Sequence, residues 1–322
     1  MPVITQLKLF DSLVKPISLY GCEIWGASYN DWNNKELDDI IGKHSYPFEI
    51  LHTRFCKWSL QVNSKCTNAL CKSELGRFPL MISVCIAILK LCLHARNSSK
   101  DSLIFKASSA EKQSNITNYY QVVRKIVNDN NVVLDNLPSE QVNKLVNNTR
   151  KKLRDSYQKC FFKQIRVSDK VPSKCREYMK VKHNYCLEKY LLKLNCNYRK
   201  SMARLRTSCH NLPIEIGRRF KVDKTKRYCF LCKEKQIGNE FHALFKCKMF
   251  DDERKKYLDK LGSINEQFKN LSLDQIYLFT LMCSDDNIMI HIGHFIHKIF
   301  EKVDKIPILD DNCALKEWFK AH

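Results

Sequence analysis

Apolar residues recur along most of the chain at helical rather than alternating spacing. Leu7, Phe10, Leu13 and Val14 mark a helix within 3–26 that runs into a tight turn at Tyr20-Gly21. Phe48, Leu51, Phe55 and Trp58 form one stripe of a helix over 45–62. Residues 67–76 read as a short helix that Gly76 can end, and Pro79 opens the longest apolar run, Leu80 to Leu93. That run holds Lys90 and is shorter than the roughly 20 residues a bilayer crossing needs, so it predicts a buried core helix. Residues 97–118 are rich in Ser, Asn and Lys and predict a linker. Helical patterns resume over 119–166 (broken near Leu137-Pro138), 175–207, 249–262 and 272–303, with an irregular stretch and a hairpin over 212–248. With only 8 Gly and 8 Pro in 322 residues, breakers are scarce. The expected fold is mainly α: a helical region over 1–96, a linker over 97–118 and a second helical domain over 119–322.

Charge changes this picture. The net charge is +21, and between Gln121 and Tyr228 there are 27 Lys and Arg against 9 Asp and Glu, a net of +18. Such asymmetry suits a polyanionic partner, because each neutralised phosphate releases counterions. RNA or DNA is therefore the expected partner, with neither a membrane nor a small-molecule substrate. Arg150, Lys151, Lys152 and Arg154 would form a basic face on one helix, the alternative being an ordinary solvated surface. The 16 cysteines are scattered, and Met1 to Phe10 has no charged segment ahead of an apolar one. Both predict a reducing, intracellular setting, cytoplasmic or nuclear, rather than secretion.

The most specific local signal is Cys229-Phe-Leu-Cys232, followed by His242 and then Cys247. A tetrahedral Zn²⁺ takes four such ligands, and a Cys-x2-Cys turn offers two thiolates from one loop. The expectation is a structural zinc knuckle over 227–250, set into the second domain, with Gly238 where a hairpin reverses. Lys226, Arg227, Lys233, Lys235 and Lys246 surround it and favour thiolates. The set is closed, so water activation is not expected. Tyr228 and Phe230 suit stacking of unpaired bases, or packing against the knuckle itself. His291, His294 and His297 drift round one helix and suit packing better than metal binding.

Several phrases in order resemble the region that follows the palm in non-LTR, LINE-type retrotransposon reverse transcriptases. They are Leu13-Val14-Lys15-Pro16-Ile17-Ser18-Leu19-Tyr20-Gly21-Cys22-Glu23-Ile24-Trp25-Gly26, then Phe55-Cys56-Lys57 with Thr67-Asn68-Ala69 and Glu74-Leu75-Gly76-Arg77-Phe78-Pro79-Leu80. The stretch Arg204 to Arg218 follows, and then the knuckle with Phe250 and Arg254. The resemblance implies a thumb-like helical domain over 1–96 and a knuckle-bearing domain that help hold template RNA and target DNA. Arg204, Arg206, Arg218, Arg219, Lys226 and Arg227 would then grip phosphates, although Glu215 and Arg218 can equally be a helix-end ion pair.

The family's polymerase needs a Tyr-x-Asp-Asp turn to hold two metals, and none occurs here. The expectation is therefore a binding fragment rather than an enzyme. One alternative is part of an active RNA-directed DNA polymerase whose palm lies upstream. Another is an inactive relic or protein–protein adaptor, in which an incomplete thumb would expose Leu80, Ile86 and Leu89.

Overall fold

The computed structural model describes residues 1–29, 31–113, 119–127, 134, 137–166, 175–232, 234–306 and 312–321. These are mainly helical, as the periodicity predicts. Extended pairing among the described residues is limited to two single bridges, Leu75 with Leu187 and Tyr228 with Ile237. All sixteen cysteines are free, and most are buried. No helix among the described residues is long and apolar enough to cross a membrane.

The chain parts into two units: Val3–Phe55 with Arg77–Ser168, and Cys56–Gly76 with Asp169–His322. This differs from a boundary at 97–118. The amphipathic helices Tyr119–Val127 and Ser139–Arg166 bury Val122, Val123, Ile126, Leu153, Tyr157 and Phe161. Both pack on the apolar Met81–Asn97 helix, so 119–166 joins the N-terminal helices. Within the expected linker Leu103–Gln113 is helical, and residues 114–118 lie outside the described residues.

In the first unit, helices Val3–Leu9 and Lys15–Ser18 flank a π-helical turn, Phe10–Val14. The widened turn accommodates Pro16, which has no N–H and whose ring would otherwise strike the carbonyl one turn back. Phe10 stacks on Phe55 at 4.2 Å and on His52 at 5.3 Å. Leu80, Ile86 and Leu89 are buried, contrary to an exposed, incomplete thumb. The Pro47–Leu60 helix is rotated from its expected face. Phe48, Glu49, His52 and Thr53 point inward, whereas Leu51 and Trp58 are 42% and 59% exposed. Glu49 sets this rotation: its Oε1 accepts the Met81 N–H at 3.0 Å, occupying one of the orphan donors at that helix's start.

The second unit is organised around a buried charge. The Arg206 side chain is 1% exposed. Its Nη2 meets Glu74 Oε1 at 3.0 Å and Glu188 Oε2 at 3.2 Å, and Nη1 donates to the Leu281 carbonyl at 2.8 Å. The guanidinium lies over the rings of Tyr178 and Tyr190. Tyr190 donates to Glu74 at 2.6 Å, and Lys182 pairs with Glu188. Burial works against the Glu74 carboxylate, but Arg206 and Lys182 outweigh it and hold its pKa below the ordinary value. Gly76 makes the arrangement possible. It ends the Asn68–Glu74 helix at φ +60°, and an added Cβ would lie 2.6 Å from the Leu187 backbone nitrogen.

Candidate metal centre and basic residues

The segment leading to the cysteines is pinned before they begin. Pro213 lies in the first turn of helix Pro213–Arg219. Arg227 Nε donates to the Val222 carbonyl at 3.0 Å and Nη1 to that of Ile214 at 3.1 Å. A narrow hairpin follows: Cys229 N–H donates to the Gln236 carbonyl at 2.7 Å, and Gly238 N–H to that of Arg227 at 3.0 Å. Among the described residues of this hairpin the left-handed one is Lys235, at φ 46°, not Gly238. Glycine is needed at 238 for close approach, since a Cβ there would lie 2.6 Å from Pro213 Cγ and 3.1 Å from Cys229 Cα. Asn239 then caps helix Glu240–Phe245 by accepting from the His242 N–H at 2.8 Å. His242 is thereby fixed in the first helical turn, and Cys247 just after the helix donates its N–H to the His242 carbonyl at 2.7 Å.

These elements bring Cys229, Cys232, His242 and Cys247 together, with their ligand atoms all within 4.8 Å of one another. Cys229 and Cys247 Sγ are 4.0 Å apart, and Cys232 Sγ is 3.3 Å from His242 Nε2. With metal–sulfur bonds of about 2.3 Å and metal–nitrogen bonds of about 2.0 Å, a tetrahedron has edges of roughly 3.5–3.8 Å, so this cage fits a metal ion. Gln236 Oε1 lies 3.2 Å from His242 Nδ1. That places the ring proton on Nδ1 and leaves the Nε2 lone pair facing the sulfurs. Three of the four ligands are buried and Cys232 is half-buried.

The Cys247 thiol holds Cys229 down to about 4 against burial. The same pairing pushes Cys247 up, and burial pushes Cys232 up. A divalent cation removes this inequality, because all three sulfurs can then ligate as thiolates. Glu234, the nearest carboxylate in sequence to Cys232, is engaged by Lys248 at 2.7 Å.

The basic residues expected to grip phosphates fall into two groups. Lys151, Lys152 and Arg154 are exposed on the Ser139–Arg166 helix, with Arg150 half-buried beside them. Arg154 lies over the Phe78 ring, and Arg150 donates to Asn147. Lys226 is exposed, and Lys233 lies outside the described residues. The remaining arginines all have partners within the fold, although Arg219 is exposed and Arg204, Arg218 and Arg227 are half-buried. Arg206 is enclosed by its carboxylates and cannot reach a polymer. Arg204 forms a fork with Asp304 at 2.6 and 2.9 Å, and Arg218 pairs with Glu215. Arg219 donates to Asn211 at 2.7 Å, and Arg227 staples the loop. Phe230 is half-buried in a small apolar cluster with Ile216 and Leu315, its ring edge-on to Trp318 at 6.5 Å. Tyr228 is half-buried at its bridge with Ile237. Of the two expected stacking rings, Phe230 is thus a packing residue.

Gln236 belongs to no ligand motif, and its only signal in the chain is a polar side chain inside the ligand spacing. Arg254 braces the cage from outside. Its Nη2 donates to the Cys247 carbonyl at 3.1 Å, tying the Asp251–Ile264 helix to the ligand loop. Comparison with family models, curated proteins and solved structures returned no match.

Proposed function

We propose that this chain is a nucleic-acid-binding module that grips phosphates through exposed lysines and arginines, with a structural zinc ion in the Cys229–Cys232–His242–Cys247 cage. The observation that carries the reading is the basic face of the Ser139–Arg166 helix, where Lys151, Lys152 and Arg154 are exposed and Arg150 is half-buried beside them. Lys15 lies near this face: burial lowers its pKa and, despite Asp11, which Arg77 holds in a fork, so do Arg77, Arg154 and Arg150. Packing cation against cation is unfavourable alone and is offset when a polyanion lies alongside. The resemblance of the four sequence phrases supplies the setting: the C-terminal, thumb and knuckle region of a LINE-type reverse transcriptase, holding template RNA or target DNA. Zinc suits the cage because three thiolates and an imidazole are its usual structural ligands, and the closed set favours folding over catalysis. The test is affinity for single-stranded RNA and DNA as a function of salt. A steep fall on the log–log plot is expected, and a flat response removes the electrostatic claim.

A second reading, in which the chain forms part of an active polymerase with its palm upstream, is favoured by an unpartnered apolar face. Leu13, Ile17, Tyr20 and Ile24 are 59%, 80%, 87% and 70% exposed. Continuous exposure of this kind marks a contact surface. Sequencing the full transcript decides it: an upstream open frame carrying the Asp pair is expected, and its absence refutes it.

A further inference from the structure

The helices Asp251–Ile264 and Met289–Asp304 pack side by side and leave a groove of about 600 Å³ between them. Lys256 and Lys260 line one wall; Lys298, Lys302 and Lys305 line the other. All five ammonium-bearing residues are exposed. Each row repeats at one helical turn, so charges on the second wall extend over roughly 10 Å at 1.5 Å per residue. The floor is the face-to-face pair Tyr257 and Phe295, with ring centroids 4.2 Å apart and planes at 5°. His291 and His294 also line the groove rather than packing inside the fold.

The charge balance within the groove is unequal. Two carboxylates line it. Glu253 takes Lys302 at 2.5 Å, and Glu301 takes Lys298 at 3.2 Å and Lys305 at 2.9 Å. Among the described residues neither Lys256 nor Lys260 is in an ion pair; Glu253 on the same wall feels Lys256 but is taken by Lys302, so five ammonium groups face two carboxylates. Burial, and then Lys260 and His294, lower the His291 pKa, consistent with a field of net positive sign. Lysine rows without an arginine fork provide separated point charges, which suit successive phosphates better than one planar carboxylate.

The groove is also anchored to the metal cage. Arg254 ties one wall to the Cys247 and Leu244 carbonyls, and Phe295 of the floor meets Phe245 of the cage helix at 6.1 Å.

We infer that this groove is a phosphate-binding channel for a single nucleic-acid strand, the cage holding its walls in place. The inference rests on the proposed nucleic-acid reading and assigns it a site. Lys256→Gln with Lys260→Gln in the full chain is the test, read by fluorescence anisotropy with a labelled single-stranded oligonucleotide across a salt series. The control removes two charges outside the groove, Lys106→Gln with Lys255→Gln. The groove variant is expected to bind about tenfold more weakly, with a salt slope shallower by about 1.4 for two lost phosphate contacts, and the control to match the parent. Equal binding by groove variant and parent overturns the groove and leaves the general reading standing. A parent that fails to bind any strand overturns both. In the unchanged chain, the NMR titration midpoint of the His291 ring is expected to rise when strand is added. A His291 response to inorganic tripolyphosphate but not to strand would assign the groove to a free phosphate ligand and contradict the proposal.

Discussion

The metal cage and the Arg206 node lie in the same unit and hold it in opposite ways. The cage closes over a short stretch, Cys229 to Cys247, with every ligand placed by a local device: a hairpin, an Asn cap and a helix end. The node joins Arg206 to Glu74, 132 residues away, inside a shell of tyrosines. A metal cross-link stabilises a segment too short to bury its own core. A buried ion pair adds little net stability over an apolar substitute, yet leaves a large penalty if one partner is removed. Losing a cage ligand should therefore free one arm, whereas losing Arg206 should unsettle the whole second unit.

The most complete expected loss, though confined to one arm, is of metal binding at the cage. Cys232→Ala should abolish metal retention and raise hydrogen exchange across 225–250 while the first unit stays protected; equal metal content in variant and parent would refute the ligand assignment. Next comes Arg206→Met, which strands Glu74 in the core at a cost of about 3–5 kcal/mol in urea unfolding. Adding Glu74→Gln should recover part of that loss, and no recovery would mean that the two residues do not act as a pair. Gly238→Ala is smaller, about 1–3 kcal/mol, because the new methyl meets Pro213 and Cys229 backbone. The smallest effect has the opposite sign. Lys235→Gly should stabilise the hairpin by about 1 kcal/mol, since φ 46° is a left-handed conformation that glycine adopts freely. A destabilised Lys235→Gly would show that the lysine side chain contributes more than its backbone costs.

The same contrast explains what can be read from the chain alone. Helical periodicity identifies the mainly α class, and ligand spacing identifies all four cage residues, because both signals are local. Arg206 reads as a phosphate contact because nothing near it in sequence announces Glu74 or Glu188. The Pro47–Leu60 stripe misleads because Leu51 and Trp58 offer an apolar face competing with the one that buries Glu49 and His52. The groove is hidden by averaging: over 251–305 there are 8 Lys and Arg against 10 Asp and Glu, a net negative window. Its lysines become visible only at the helical spacing 256, 260 and 298, 302, 305.

The central claim is tested most directly by the metal content of the purified chain, measured by inductively coupled plasma mass spectrometry and paired with circular dichroism before and after chelation. One zinc per chain is expected, with its removal loosening the knuckle. A chain that is fully folded, metal-free and indifferent to chelator would contradict the cage as the element that shapes this part of the molecule.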